Sequence, residues 1–291
     1  MSKLQFTKAF TQQEAIPEQA KQRVMELLDS GRLHRYNTVG NELSDAAMLE
    51  QEYAQYQGRK YCLACTSGGY GIHIALRAMG LQAGDEVLTN AYTLAPVPGA
   101  IHAAGGKPVL VEIDENYHLD LADLKAKAKA SNAKILLLSL MRGHIPNMQQ
   151  LMTLCNELGI KVLEDCAHTM GASWDGIKSG NFGQVAAFSL QTYKHMNTGE
   201  GGLVVTDDAE IAARLIMHSG SYMLYERHGA APAPEVFENI RLVSANMSGR
   251  MDNMRAALGL AQLPNLDKNC ERWNHRYNLL NAAIGAVSGV D

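Results

Sequence analysis

Short apolar runs alternate with amphipathic stretches through most of this chain, and this alternation constrains the fold more than any other feature. Buried strands that alternate with helices form mainly parallel sheets with helices on both faces. We therefore predict an α/β fold with a mainly parallel sheet covered by helices. The runs predicted to form strands cover residues 61–65, 85–89, 108–113, 134–140, 161–164, 185–190 and 203–206.

Helical periodicity fills most of the segments between these runs. Ser44 is a predicted N-cap, and Gly31 ends the first helix. The proline-containing segment 220–246 has weak periodicity and is interpreted as a surface excursion or a crossing segment. Residues 1–245 are expected to form a large domain with an N-terminal helix, and residues 246–291 the start of a smaller, incomplete C-terminal domain. The predicted helices cover residues 16–30, 44–57, 71–79, 95–104, 119–130, 148–158, 209–219 and 251–263, with a further helix within 265–287.

The composition is that of a soluble globular protein. Hydrophobic residues make up 46% of the 291 residues, charged residues make up 19%, and the formal net charge is -4. Because no basic patch and no long apolar run is present, neither nucleic acid nor a membrane is an expected partner. Residues 1–5 lead into polar sequence rather than a secretory signal, and the five cysteines are an odd number. These features favour free thiols in the cytoplasm.

The pair Cys62 and Cys65 has the Cys-x-x-Cys spacing of some metal and redox sites. A zinc site needs a second pair of Cys or His ligands, and a redox pair is expected where a helix starts. The two cysteines are therefore interpreted as residues of a strand and its following loop, and no metal site is predicted.

A glycine-rich segment, Thr-Ser-Gly-Gly-Tyr-Gly at residues 66–71, joins a predicted strand to a predicted helix. Glycines let the backbone approach an anion closely, and a helix N-terminus presents free N–H groups and the positive end of its dipole. The segment therefore suits a phosphate group. An ordinary glycine turn is the alternative, because the segment matches neither common phosphate-loop motif.

Asp165 follows a predicted strand, and His168 lies three residues further on. Ligands of open α/β sheets bind beyond the carboxyl ends of the strands. A carboxylate there could hold a protonated pyridine nitrogen, which strengthens pyridoxal 5′-phosphate (PLP) as an electron sink. The alternative is an Asp that caps a turn.

Ser189 and Lys194 flank residues 190–193, after the apolar run 185–188. A lysine near a buried site has its pKa lowered by desolvation and can act as an amine nucleophile or general base. Residues 198–202, Thr-Gly-Glu-Gly-Gly, are typical of a loop that folds tightly around a ligand. These neighbours argue against the alternative, a surface lysine.

Three further residues that follow predicted strands are also candidates. Tyr92 and Leu94 follow a predicted strand, where a side chain could cover one face of a planar ring, although core packing is equally compatible. Arg142 also follows a predicted strand and could meet an anionic group, or else lie on the surface.

Together these stretches resemble the DegT/DnrJ/StrS-type sugar aminotransferases, which are PLP-dependent enzymes of fold type I. The resemblance runs through nearly the whole chain from about Ile16, and the order and spacing of Asp165, Ser189 and Lys194 match the family. The segments that carry the resemblance are residues 65–76, 84–87, 163–168, 188–202 and 250–263.

The resemblance implies a role for each candidate residue. Lys194 looks like the lysine that holds PLP as a Schiff base and moves a proton between the substrate α-carbon and the cofactor. Asp165 looks like the partner of the pyridine nitrogen, and His168 sits where the family has a residue near the phenolic oxygen. The phosphate ligands implied are Ser189 and the backbone at Gly69 and Tyr70.

Arg250 lies in a segment that, in the family, reaches the active site of the other subunit, so a homodimer is implied. The chain departs from the family pattern at Gly69, where Thr is usual, and at Ser248, where Asn is usual. It also has Leu94 in place of the usual ring-stacking aromatic residue, so that Tyr92 or an aliphatic side chain must cover the ring.

The implied reaction transfers an amino group from glutamate or glutamine, through pyridoxamine 5′-phosphate, to a keto-sugar in amino-sugar or lipopolysaccharide biosynthesis. The acceptor is a nucleotide-linked sugar or, if Arg142 binds an anionic group, an acidic sugar. A PLP-dependent sugar dehydratase of the same fold and a non-catalytic PLP-binding regulator are the alternatives. A dehydratase branch has His in place of the lysine, so Lys194 favours transamination.

Overall fold

One large sheet organises the fold, and its strands coincide with the predicted apolar runs. The computed structural model describes Thr7, Ala9 and residues 13–289, so the polar start at residues 1–5 lies outside the described residues. The strands are β1 Tyr61–Cys65, β2 Glu86–Asn90, β3 Lys107–Val111, β4 Ile135–Ser139, β5 Lys161–Asp165, β6 Ser173–Trp174, β7 Ile177–Lys178, β8 Val185–Ser189 and β9 Gly202–Thr206.

The sheet has the strand order β1-β9-β8-β5-β4-β2-β3, and β6 pairs with β7 in a separate short hairpin that was not predicted. Neighbouring strands from β8 through β5, β4 and β2 to β3 are parallel. Strand β9 is antiparallel to both of its neighbours, β1 and β8. The predicted mainly parallel sheet is therefore confirmed.

Helices cover both faces of the sheet, as predicted. The helices are α1 Glu18–Ser30, α2 Asp45–Gln57, α3 Gly68–Ala78, α4 Pro96–Ala103, α5 Leu121–Ala130, α6 Met148–Leu158, α7 Ala209–His218, α8 Phe237–Val243, α9 Asn253–Gln262 and α10 Leu266–Gly285. Leu136 and Leu138 in β4 belong to the apolar layer on one face of the sheet, with α2, α5, α6 and α9. Ile135 and Leu137 belong to the layer on the other face, with α3, α4, α7 and α8.

Two predicted elements differ from the structure. Helix α3 begins at Gly68 rather than residue 71, because Ser67 caps it by accepting the N–H of Tyr70 (3.1 Å), which places the glycines inside the first turn. The segment 220–246 is more than a surface excursion, since its helix α8 buries Phe237 and Ile240 in the core. The division of the chain at residue 245 stays a prediction.

Within the described residues, every helix is too short or too polar to cross a lipid bilayer.

A buried ionic network joins the N-terminal segment to the sheet. Glu50 of α2 is fully buried and accepts hydrogen bonds from the Arg35 guanidinium (2.6 and 2.8 Å) and from the N–H of Ala64 in β1 (2.8 Å). His228 lies 3.1 Å from the same carboxylate, and the Arg35 and His228 charges hold the pKa of Glu50 at about 2 although burial opposes ionisation. The carboxylate is therefore ionised and fixes the end of β1 that leads into α3.

Replacing Glu50 by Gln should lower the free energy of unfolding by about 3 kcal/mol, because a buried guanidinium then loses its counter-charge. Urea unfolding measures the change. Glu52→Gln, an exposed position on the same helix, is the matched control and should have little effect. Equal stabilities of the two variants would contradict this role for Glu50.

Candidate active site

Polar residues end the parallel strands at one edge of the sheet. Asn90, Ser139, Asp165 and Ser189 are the last residues of β2, β4, β5 and β8, and each is largely buried. Ser139 and Asp165 are register partners, so their side chains lie side by side. A cavity of about 440 Å³ opens at this edge. It includes six predicted site residues in its lining: Gly69, Leu94, Asp165, His168, Ser189 and Lys194.

The start of α3 lies against the end of β8 because Gly68 has no side chain. A Cβ at Gly68 would come 2.9 Å from the Cβ of Ser189, which is closer than real Cβ atoms approach. A Cβ at Gly69 would instead meet Pro96 at 3.7 Å, an ordinary contact. The N–H groups of a first helical turn have no intrahelical acceptor, so this end of the cavity favours an anion.

Tyr70 is placed differently from Gly69 and is not part of the cavity lining. Its N–H donates to Ser67 Oγ, and its hydroxyl donates to the carbonyl of His218 (2.8 Å). The expectation that the Tyr70 backbone binds phosphate therefore conflicts with its N–H being used in the helix cap. Of the two predicted backbone ligands, the structure places only Gly69 in the cavity.

Asp165 lies at the bottom of the cavity and is 9% exposed. Its Oδ1 accepts the N–H of Ala167 (3.1 Å). Burial raises the pKa of this carboxyl to about 6, although the Ala167 amide, the Lys194 ammonium and the Ser139 hydroxyl favour its ionised form. A cationic group beside Asp165 would ionise it and gain a strong partner in a site of low dielectric constant.

His168 is oriented by Arg142. The backbone N–H of Arg142 donates to Nδ1 of His168 (3.2 Å). A neutral His168 ring therefore carries its proton on Nε2 and can donate it to an oxygen. Burial and the positive charges of Lys194, Arg142 and His195 lower the pKa of His168 to about 4, which keeps the ring neutral. Arg142 itself is exposed and is not part of the cavity lining.

Lys194 lies in a loop that leaves the sheet at Ser189 and returns at β9. The loop is closed by backbone hydrogen bonds from Leu190 to Gly201 (2.9 Å) and from Thr198 to Leu190 (2.9 Å). Gly199, at a φ of 78°, makes the turn that a residue with a side chain would strain. The tight loop holds the half-buried Lys194 side chain in the cavity.

The environment of Lys194 favours its neutral amine. Burial lowers the pKa of the ammonium, Asp165 opposes this effect, and Arg142 adds to it. Among the described residues, Nζ forms no ion pair within 4.0 Å. A lysine with a lowered pKa and an uncommitted amine is suited to attack a carbonyl carbon or to move a proton.

The two candidates for covering a ring are separated in the structure. Leu94 lines the cavity, whereas Tyr92 packs against Tyr117 (ring centroids 5.0 Å apart) and His144 (6.2 Å) outside it. An aliphatic cover is thus available and an aromatic one from Tyr92 is not. Further apolar walls come from Ile72, Val97, Met141 and Ala167.

Arg250 lies near the end of β1 but is not part of the cavity lining. Its backbone bridges to Cys65, and its guanidinium donates to the carbonyl of Gly220 and to Ser248 Oγ (3.3 Å). The guanidinium also lies 5.2 Å from the ring centre of Tyr222. A role for Arg250 in binding substrate stays a prediction.

Sequence reasoning missed a polar network under the cavity. Asn90 donates to the carbonyl of Ser139 (2.9 Å) and accepts the Ser139 N–H (2.9 Å), while Thr93 donates to Ser139 Oγ (2.7 Å). These bonds place the hydroxyl of Ser139 beside Asp165. The signal was present in the sequence, since Asn90 and Ser139 are polar residues that end apolar strands just as Asp165 does.

Asp165 should make the cofactor-free protein less stable as the pH rises. Its carboxyl keeps its proton to about pH 6 when folded but loses it near 3.8 when unfolded, so the folded state binds more protons between these values and stability falls. Between the two pH values, the free energy of unfolding of Asp165→Asn should fall by roughly 2 kcal/mol less than that of the wild type. Urea unfolding at about pH 4 and about pH 8 measures it; the same pH dependence in both proteins would contradict the prediction.

Known proteins share both the sequence pattern and the fold. A model of the DegT/DnrJ/EryC1/StrS aminotransferase family matches residues 14–291. The chain is 34% identical over 222 residues to GDP-perosamine synthase of Caulobacter vibrioides. These residues are 76% of this chain and 57% of that protein. The chain is also 30% identical over 259 residues to dTDP-3-amino-3,6-dideoxy-alpha-D-galactopyranose transaminase of Aneurinibacillus thermoaerophilus. These residues are 88% of this chain and 65% of that protein.

Among solved structures, S. venezuelae DesV in complex with a ketimine intermediate superposes with a TM-score of 0.75 and 30% identity, covering 94% of this chain and 67% of that one. The chain thus spans less than two thirds of the length of the two sequence relatives. The fold expected from the resemblance is confirmed. The chain belongs to the DegT/DnrJ/EryC1/StrS aminotransferase family.

Proposed function

We propose that this protein is a PLP-dependent aminotransferase that moves an amino group from glutamate or glutamine to a keto-sugar. One observation carries the proposal: Lys194, Asp165 and the glycine-lined start of α3 line a single cavity. An amine, a buried carboxylate and an anion site are the groups that hold the aldehyde, the ring nitrogen and the phosphate of PLP.

The residues of the cavity fit the cofactor. Because Gly68 lets the start of α3 lie directly against Ser189, the first-turn N–H groups and the Ser189 side chain come together at one end of the cavity, which suits a phosphate. Ser189 and Gly69 would hold the phosphate, Asp165 the ring nitrogen and His168 the phenolic oxygen. Leu94 and Ala167 supply apolar surface for a planar ring. When bound, PLP supplies an electron-poor ring that stabilises negative charge on the substrate carbon.

The protein groups have complementary tasks. Burial of Asp165 in a cavity of low dielectric constant strengthens its attraction for a protonated ring nitrogen. The Nε2 proton of His168 would be donated to the phenolic oxygen. Lys194, with its lowered pKa, would hold the aldehyde carbon of the cofactor. Once the amine of the substrate has displaced it from that carbon, the free Lys194 amine would move a proton between the substrate carbon and the cofactor.

A nucleotide-linked keto-sugar is the proposed acceptor. Two relatives bear the names of a GDP-linked and a dTDP-linked amino sugar, which supports this class for the present chain. The product would serve amino-sugar or lipopolysaccharide biosynthesis. Arg142 lies outside the cavity lining, so the case for an acidic sugar held by this residue is the weaker one.

A homodimer with shared sites is also part of the proposal. The segment that leads to Arg250 exposes five large apolar side chains, and exposed apolar patches mark interaction sites. Arg250 would then reach the partner's cavity rather than its own. The exposed side chains are Tyr222, Met223, Leu242, Val243 and Met247.

PLP added to the purified protein should produce a visible absorption band that L-glutamate converts to a near-ultraviolet band. Borohydride reduction before glutamate addition should leave the mass of PLP on Lys194, as measured by mass spectrometry of peptides. Lys194→Ala should lack both the band and the attached mass, because no other amine of the cavity replaces Nζ. Lys178→Ala, a lysine outside the cavity, is the control and should behave like the wild type.

The outcomes separate the alternatives. If PLP attaches to Lys194 and neither glutamate nor glutamine changes the spectrum, transamination is wrong and the sugar dehydratase and the regulator should be tested. If PLP attaches to another lysine, the assignment of Lys194 is wrong.

Gly68→Ala should weaken PLP binding about tenfold, because the new Cβ forces the start of α3 away from Ser189 and costs hydrogen bonds to the phosphate. Gly69→Ala is the matched control, since its Cβ makes only an ordinary contact, and its dissociation constant should stay near the wild-type value. Titration of PLP followed by absorbance gives both constants. Equal effects at the two positions would show that helix propensity, not the close approach, controls binding.

A further inference from the structure

Two hydroxyl groups form a hydrogen-bond relay that ends on the carboxylate of Asp165. Thr93 donates its hydroxyl proton to Ser139 Oγ (2.7 Å), and the Ser139 hydroxyl in turn donates to the Asp165 side chain. Because Ser139 Oγ accepts from Thr93, its own proton is available for the carboxylate. We propose that Ser139 is a positioning residue, which orients the Asp165 carboxylate and supports its negative charge for the ring nitrogen of PLP. This inference deepens the proposed function and rests on it for the identity of the bound ring.

The backbone of Ser139 is held in place by the side chain of Asn90. The register pairs of β2 and β4 end one residue before Asn90, and its amide then donates to the Ser139 carbonyl and accepts the Ser139 N–H (both 2.9 Å). The same amide donates to the carbonyl of Tyr92 (3.0 Å), so it also holds the loop that carries Thr93. Since Ser139 and Asp165 are register partners in neighbouring strands, their side chains lie on the same face of the sheet.

A neutral hydroxyl suits this position better than a cation would. Burial raises the pKa of Asp165 to about 6. The Ala167 amide, the Lys194 ammonium and the Ser139 hydroxyl oppose this effect, in that order. Once Lys194 holds the cofactor, its ammonium is used up, and the neutral donors of Ala167 and Ser139 remain. They favour the ionised carboxylate without neutralising it, whereas a fixed cation would compete with a protonated ring nitrogen.

The Asp165 carboxylate keeps acceptor capacity for a ring nitrogen. Its two oxygens offer about four lone-pair directions. Oδ1 accepts the Ala167 N–H (3.1 Å), and the Ser139 hydroxyl occupies one more direction. Because Asp165 lines the cavity, the remaining directions can meet a donor that enters it.

Four other titratable groups surround Asp165. His168 and Cys166 follow β5, and Lys194 and the exposed Glu200 belong to the loop between β8 and β9. Burial lowers the pKa of His168 to about 4 and raises the pKa of Cys166 well above its ordinary value, so both stay neutral between about pH 6 and about pH 8. All four groups are retained in a variant that lacks only the relay hydroxyl, so a difference from the wild type reports on Asp165.

The first test measures Asp165 in the cofactor-free protein by urea unfolding from about pH 4 to about pH 8. Ser139→Ala removes a donor to the ionised form, so the folded carboxyl should keep its proton to a higher pH. The fall in the free energy of unfolding should then continue about one pH unit further than in the wild type. In an Asp165→Asn background, Ser139→Ala should leave the pH profile unchanged. A shift that persists in that background would overturn the proposal.

Ser219→Ala is the matched control for a lost buried hydroxyl. The Ser219 hydroxyl is also buried, and it donates to the carbonyl of Ile216 (2.8 Å), which does not titrate. This variant should lose stability without a shift of the pH profile. The same shift in Ser219→Ala as in Ser139→Ala would overturn the proposal, because a general loss of packing would then explain both.

The second test measures PLP binding by absorbance titration at two pH values. If only the ionised carboxylate binds the protonated ring, affinity follows the ionised fraction of Asp165. Ser139→Ala should therefore bind PLP about fivefold more weakly than the wild type at about pH 6 and nearly as tightly at about pH 8. The ratio of the two dissociation constants at each pH cancels the titration of PLP itself. A loss of equal size at both pH values would contradict a role through the charge of Asp165.

Thr93→Val tests the relay itself, since it keeps a branched side chain and removes the hydroxyl that orients Ser139 Oγ. Both effects should appear in the same direction but smaller, because Ser139 keeps its own donor. In the Ser139→Ala background, Thr93→Val should add nothing to the pH dependence, as expected for two residues that act through one hydrogen-bond chain. An undiminished effect in that background would overturn the relay.

Failure of the relay and failure of the proposed function give different results. If PLP attaches to Lys194 and Ser139→Ala changes neither pH profile, the positioning role fails and the aminotransferase proposal stands. If the stability profile shifts as expected but PLP does not bind, the coupling of Ser139 to Asp165 stands and the aminotransferase proposal fails. Circular dichroism of each variant separates a lost hydrogen bond from a lost fold.

Discussion

The candidate active-site cavity depends on a close backbone approach between the start of α3, the end of β8 and the start of β9. A Cβ at Gly68 would meet Ser189 at 2.9 Å, and a Cβ at Gly202 would meet the Ser67 carbonyl oxygen at 2.3 Å. Neither position has room for a side chain, so the first turn of α3 lies directly on the carboxyl edge of the sheet. This contact brings the N-terminus of α3, which is suited to an anion, and the loop of Lys194 to one cavity.

The same edge concentrates groups that are costly to bury. Burial raises the pKa of Asp165 and lowers the pKa of Lys194, so each group is less stable in its charged form than it would be in water. The Asn90–Ser139 network and the closed loop around Lys194 hold these groups in place. Elsewhere the buried guanidinium of Arg35 and the carboxylate of Glu50 form a two-point ion pair, which is an arrangement expected for a structural role.

Much of this could be predicted from the sequence, because the relevant signals are local. The apolar runs predicted the strands, and polar residues directly after them predicted Asp165 and Ser189. The remaining positions depended on contacts that residue type alone does not show. Tyr92 packs with Tyr117 outside the cavity lining, and α8 is held by the burial of Phe237. The N–H of Tyr70 donates to Ser67, and a phosphate-binding role for the Tyr70 backbone stays a prediction.

The sequence by itself determined the α/β class and the family, and it supplied Lys194, Asp165 and the glycine-rich segment as candidate site residues, because each of these depends on residue type and spacing along the chain. Only the tertiary structure decided which candidates share a cavity. It placed Gly69, Asp165, His168, Ser189 and Lys194 together and left Tyr70, Arg142 and Arg250 outside the lining. The physical reason is that strand register, helix capping and close packing of glycines set side-chain positions, and these contacts join residues far apart in the chain.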